Sequence, residues 1–197
     1  MPIIQTHSGQ DINLLRPREH DINFRDIAFS LAKLCRFSGH TTSFYSVAQH
    51  SVLVADCLPP ELQAYGLLHD AHEAFIGDTT SPVKRALDQV NPNGSAGLAY
   101  LAGIWDERIH EKAGLAWPLT KTQKQQIKCA DMVLLATEKR DLLAPTPAWP
   151  GSYRPLKKVI KPLPEDRAAE LFMAKFDLLI GGQAKANNHT QFNELFG

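Results

Sequence analysis

Between Ser46 and Leu58 the chain offers almost no polar surface. Val47, Ala48, Val52, Leu53, Val54 and Ala55 point in every direction around a helix. A helix of that kind must be covered on all sides, so the rest of the chain has to build around it. Ser46 and Gln49 form a capping box at its start, and Pro59-Pro60 stops it. The neighbouring segments supply the cover. Ile27, Leu31 and Leu34 recur at helical spacing over Asp26–Cys35, with Asp26 as the expected cap. A further helix is expected from about Glu61 to Ile76, ended by Gly77, and Ser81-Pro82 opens a short one through Leu87. Leu101, Ile104, Trp105 and Ile109 share one side of a segment from Leu98 to Lys112. Thr120 and Gln123 make another capping box, opening a helix to about Leu143, and the last clear helix covers about Glu165–Ile180.

No βαβ alternation, repeat or glycine-rich phosphate loop interrupts this pattern. The expected fold is therefore all-α: one compact bundle of about six to eight helices. At 197 residues the chain suits one domain better than two. Residues 1–24 read as an irregular lead-in with room for one short strand pair, residues 25–180 as the domain, and 181–197 as a polar tail. Residues 144–164 hold six prolines and form a long loop, a candidate lid or contact.

Lys+Arg and Asp+Glu stand at 21 each, and that balance argues against a nucleic-acid polymer or an anionic membrane as partner. Cys35, Cys57 and Cys129 are odd in number and widely spaced. They point to a reduced, cytoplasmic setting rather than a disulfide framework. Neither a signal peptide nor a membrane span is expected.

The chemistry-bearing run is Leu67-Leu68-His69-Asp70-Ala71-His72-Glu73. On a helix His69 and Asp70 can face one point lying between them, with Glu73 one turn further along that side. His50 shares a face with Val47 and Val54, and Asp131 with Ile127 and Leu135, so both point inward. Two histidines and two aspartates on three helices can converge on one cation, and such a mixed set suits Mn, Fe, Co, Ni or Zn better than Ca. Taken singly, each has a plainer reading. His50 can be a hydrogen-bonded core histidine, and Asp131 an internal partner of Arg36 or Lys128. Glu138 follows Asp131 by seven residues on the same face, about 10 Å along, a distance suited to a substrate-binding or supporting role rather than direct ligation, and equally to a surface salt bridge.

The order His50 … His69-Asp70 … Asp131 resembles the signature of HD-domain phosphohydrolases. The words Arg36-Phe37-Ser38-Gly39-His40-Thr41, Tyr45-Ser46-Val47-Ala48-Gln49-His50-Ser51 and Gly77-Asp78-Thr79-Thr80-Ser81-Pro82-Val83-Lys84 are similar to a small branch of it. That branch contains bacterial 5′-deoxynucleotidases and phage deoxynucleoside triphosphate (dATP) triphosphohydrolases. The resemblance covers roughly residues 25–143. It implies an HD-domain bundle with His50, His69, Asp70 and Asp131 around one divalent transition metal (Zn, Co, Mn or Fe), and room for a second, substrate-borne ion. It assigns Glu73 and Asp78 as the acid/base pair and Arg36 as the phosphate-binding arginine. Lys84 would reach a second phosphate from the start of its helix, or else be a solvated first-turn lysine. Phe37, Ser38 and Pro82 would line the base and sugar pocket. The implied activity is hydrolysis of small deoxynucleotides, leaning to release of triphosphate from a deoxynucleoside triphosphate. A 5′-deoxynucleotidase and a non-catalytic nucleotide- or metal-binding module are the alternatives, and a homo-oligomer is implied.

Overall fold

The computed structural model describes residues 1–147, 149 and 153–181. Two short strands, β1 (Ile3–Gln5) and β2 (Asp11–Asn13), pair antiparallel with Ile4 opposite Ile12. Eight α-helices follow among the described residues. They are α1 (Phe24–Lys33), α2 (Val47–Asp56), α3 (Pro60–Leu68), α4 (Glu73–Ile76), α5 (Ser81–Val90), α6 (Ala96–Lys112), α7 (Lys121–Leu142) and α8 (Glu165–Phe176). The fold is mostly helical, as the periodicity requires. The tail residues 182–197 lie outside the described residues.

Helix α2 is the buried axis. It contributes Val47, Ala48, Val52 and Ala55 to one apolar cluster, with α1, α3, α6 and α8. Val54 enters a second cluster with Leu58, Leu62, Ile127, Ala130 and Leu134. Separating two cores in this way is what a helix apolar on every side can do. Where α3 crosses it, Gly66 permits the approach: a Cβ there would lie 2.4 Å from Leu58 Cδ1 and 3.2 Å from Ala55 Cα.

Several local expectations shift. The lead-in is part of the core, because Ile12 and Ile22 are buried in the larger cluster. Asn23, not Asp26, caps α1, accepting from the Arg25 N–H. The Asp26 carboxylate instead accepts from the Ser8 N–H and hydroxyl, tying β1–β2 to α1. Ser46 caps α2 as expected, but Gln49 does not close the box. Its amide bridges the Lys161 carbonyl and the Leu163 N–H, 112 and 114 residues away in sequence. Thr120 and Gln123 do form a reciprocal box on α7. The N-cap of α5 is Thr80, one residue before Ser81, and that helix extends past Leu87 to Val90. Helix α8 ends at Phe176 and continues as a π-helical turn over Asp177–Gly181.

Two corrections bear on the site. The helix expected over Glu61–Ile76 is broken between Leu68 and Glu73, where i→i−3 bonds (Ala71 to Leu68, Glu73 to Asp70) replace the α pattern. The described part of the proline-rich segment, expected as a loop, is held as a strap along α7 and α2. Leu156 N–H donates to Thr137, Ile160 N–H to Asp141, and Arg140 to the Leu156 and Lys158 carbonyls.

Candidate metal centre

His50 is fully buried on α2, and its ring nitrogens face different groups. Nδ1 lies 2.6 Å from Glu138 Oε1, while Nε2 has no hydrogen-bond partner. His69 stands at the C-cap of α3, where its Nδ1 donates to the Gly66 carbonyl at 2.7 Å. Its Nε2 is likewise buried and without a hydrogen-bond partner. Both bare nitrogens point to one place. Ligand atoms of His50, His69 and Asp131 all lie within 4.8 Å of one another, so these three form a group that can hold a metal ion. Asp70 adjoins it, with Oδ2 3.1 Å from His69 Nε2 and 3.6 Å from His50 Nε2. Asp131 Oδ1 is 3.5 Å from His50 Nε2. Its Oδ2 accepts from Lys128 at 2.6 Å, so the plainer reading of Asp131 is also present, on its outer oxygen.

Buried imidazole nitrogens without partners are costly in an apolar interior. Here the two sit between carboxylates, a donor set that suits a divalent transition metal. The titration behaviour shows how concentrated the charge is. Burial opposes a charged His69, yet Asp70 and Asp131 push its pKa up to about 9. Burial also opposes ionisation of Asp70, which His69, His50 and Arg36 nevertheless hold well below the usual carboxylate range. Metal uptake at such a site releases the imidazole proton.

The broken helix alters the placement of Glu73. It is buried at the start of α4, and Oε2 has no hydrogen-bond partner. Burial, followed by the charges of Asp70 and Asp78, raises its pKa far above the ordinary carboxyl range. Asp78 follows Gly77, whose φ of 78° ends α4. Its pKa is also raised, by burial first and by Asp70, against the pull of Arg36, His50 and Lys84. Glu73 opens on a cavity whose walls include His72, Thr79 and Lys84 on one side, with Leu98, Ala99 and Ala102 of α6 on the other.

Arg36 precedes α2 in a short 3₁₀ turn. Its Nη2 donates to Glu138 Oε2 at 3.1 Å, and Nη1 lies 3.8 Å from Asp70 Oδ2. Phe37 and Ser38 both take left-handed backbone angles, with φ of 55° and 52°. Such strain is costly for non-glycine residues. The turn puts the Phe37 ring under the guanidinium, 5.5 Å from its carbon. Ser38 and Pro82 are exposed, and neither they nor Phe37 line the cavity at Glu73. The structure therefore gathers His50, His69, Asp70, Asp131, Glu73, Asp78 and Arg36, with Lys84 on the wall of the cavity at Glu73. It does not gather Ser38 and Pro82.

Two participants escaped the sequence reading. Tyr45 donates to Glu138 Oε1 at 2.9 Å, and Asp106 of α6 accepts from His72 Nδ1 at 2.9 Å. Asp106 belongs to no short local motif, and Tyr45, though it opens the word Tyr45–Ser51, meets Glu138 only through packing.

No family model matches the chain. It is 37% identical over 185 residues to the uncharacterized protein YfdR of Escherichia coli (strain K12), spanning 90% of this chain and 95% of that protein. It is 33% identical over 191 residues to the uncharacterized protein RCAP_rcc00048 of Rhodobacter capsulatus, spanning 88% and 93%. The chain is thus a helical protein with a histidine–carboxylate centre, and it belongs to the family of YfdR. No helix among the described residues is long and apolar enough to cross a membrane.

Proposed function

We propose that this protein is an HD-type, metal-dependent phosphohydrolase of deoxynucleotides, releasing deoxynucleoside and triphosphate from a deoxynucleoside triphosphate. The observation that carries the reading is the pair of partnerless Nε2 atoms on His50 and His69, directed at Asp70 and Asp131, with the partnerless Glu73 carboxyl alongside. His50, His69, Asp70 and Asp131 would hold a Zn, Co, Mn or Fe ion. When bound, a divalent cation supplies Lewis acidity, acidifying water and offsetting phosphoryl charge.

The chain's own residues do the rest. Arg36, whose Nε is buried without a partner, binds phosphate oxygens through its planar guanidinium. Water attacks the α-phosphorus and the bond from phosphorus to the 5′-oxygen breaks. Glu73, kept protonated by burial, gives its proton from Oε2 to that leaving oxygen. Asp78, close enough to Glu73 to raise its pKa, receives or returns protons as the pair resets. Lys84, on the cavity wall beside Glu73, favours a substrate with more than one phosphate.

The test is incubation of purified protein with each deoxynucleoside mono- and triphosphate plus Mn, Co or Zn, resolving nucleoside, phosphate and triphosphate. Triphosphate release supports the reading, and phosphate release from monophosphates alone redirects it to a 5′-deoxynucleotidase. Metal-loaded protein that turns over no nucleotide sinks both and leaves a binding module.

A further inference from the structure

Glu138 lies outside the ligand set, yet contacts from His50, Tyr45 and Arg36 all end on it. Its side chain is fully buried on α7, two helical turns after Asp131. Oε1 takes His50 Nδ1 at 2.6 Å and the Tyr45 hydroxyl at 2.9 Å, and Oε2 takes Arg36 Nη2 at 3.1 Å. The four groups come from three places: the turn at Arg36, the Tyr45 approach to α2 with α2 itself, and α7. Tyr45 and His50 are as fully buried as Glu138, so water does not compete for these bonds.

An ionised carboxylate accepts and cannot donate. With Arg36 and the Tyr45 hydroxyl both donating to it, the remaining short contact requires His50 to donate from Nδ1. The Nε2 lone pair is then free and faces Asp70 and Asp131 at 3.6 and 3.5 Å. One carboxylate thus selects the tautomer of a ligand and, through its other oxygen, holds the arginine on the opposite edge of the site.

We infer that Glu138 is a positioning residue that sets both the metal affinity of His50 and the anion affinity of Arg36. Resting on the metal-centre reading above, this adds a link between its two halves. Helix α7 supplies the ligand Asp131 directly and orients the facing ligand His50 through Glu138. A shift of α7 therefore moves both together.

The test uses the full chain, titrated with Zn or Mn against a competing chelator and then, metal-loaded, with inorganic phosphate. Glu138→Gln keeps the shape but loses the charge and turns an NH2 group toward either Arg36 or the His50–Tyr45 pair, where only an acceptor fits. The expected result is a metal dissociation constant raised roughly 10- to 100-fold, together with weaker phosphate binding and an unchanged helical spectrum. Glu138→Gln binding metal within about twofold of the wild type overturns the inference and leaves the metal centre standing. A wild-type chain that takes up no metal overturns both. Should Glu138→Gln fail to fold, ¹⁵N spectra of the metal-free wild type decide. A slowly exchanging His50 Nδ1 proton supports the inference, and a proton on Nε2 overturns it.

Discussion

Helices α2 and α5 are both ten residues long and each delivers one side chain to the site, His50 and Lys84, yet they are held in opposite ways. Eight residues of α2 are buried, polar ones among them, whereas α5 has none, and Val83, Leu87 and Val90 stand exposed on it. On the proposed reading, the contrast matches the demands of the two ligands. Metal coordination tolerates little positional error, so its donor sits on an element clamped between two cores. An ammonium attracting a phosphate acts as a point charge on a flexible stem and works from a loosely held helix.

The largest effect should come from breaking the clamped side. His50→Ala removes a candidate ligand and leaves the buried Glu138 carboxylate without its shortest contact. Metal content should fall to background, and stability should drop by about 3 kcal/mol, the scale for breaking a buried charged network. Metal analysis and urea unfolding check both. Full metal occupancy in this variant would remove His50 from the centre. Next in size is the packing contrast itself. Val54→Ala, in the second core, should cost about 2 kcal/mol, and Val83→Ala, about half exposed, less than about 0.5 kcal/mol. Equal losses in urea unfolding would mean that α5 is covered in solution.

A third prediction concerns Glu73, at the buried edge of the cavity that α5 closes. Burial, with Asp70 and Asp78 beside it, raises its pKa above the ordinary 4.5. Above that pH the unfolded chain sheds this proton while the native metal-free protein keeps it, so stability falls as pH rises. Glu73→Gln carries no such proton. Its melting temperature in metal-free buffer, relative to the wild type, should therefore climb by several degrees between about pH 4 and pH 8. A flat difference would mean that the carboxyl ionises freely where it lies.

The same contrast explains how far the sequence could be read. The inward phase of His50 with Val47 and Val54 is periodic, and a helix as uniformly apolar as α2 has only one place to go. The break between Leu68 and Glu73 was illegible, because Leu67, Leu68, Ala71 and Phe75 continue an apolar pattern through it while the backbone tightens. Asn23 displaced Asp26 as a cap because Asp26 found donors in Ser8, 18 residues earlier. The strap was read as a loop for the same reason: Gln49, Thr137, Arg140 and Asp141 bind its backbone across long separations that leave no period. Glu138 was noticed by spacing alone, and its partners Tyr45 and Arg36 came only with packing.

The smallest effect sharpens the comparison most, because it separates the two substrates. Lys84 lines the cavity at Glu73 from a helix with no buried residue, so Lys84→Ala should leave unfolding within about 0.5 kcal/mol of the wild type. On the proposed reading its loss removes attraction for a distal phosphate, worth about 1 kcal/mol at a partly solvated site. KM for a deoxynucleoside triphosphate should then rise about fivefold while kcat holds. The increase should shrink in high salt, since the charge is screened. KM for a monophosphate, which has no distal phosphate to lose, should not move. Equal changes for both would place Lys84 at the reacting phosphate itself, and the loosely held helix would then be as demanding in its geometry as the clamped one.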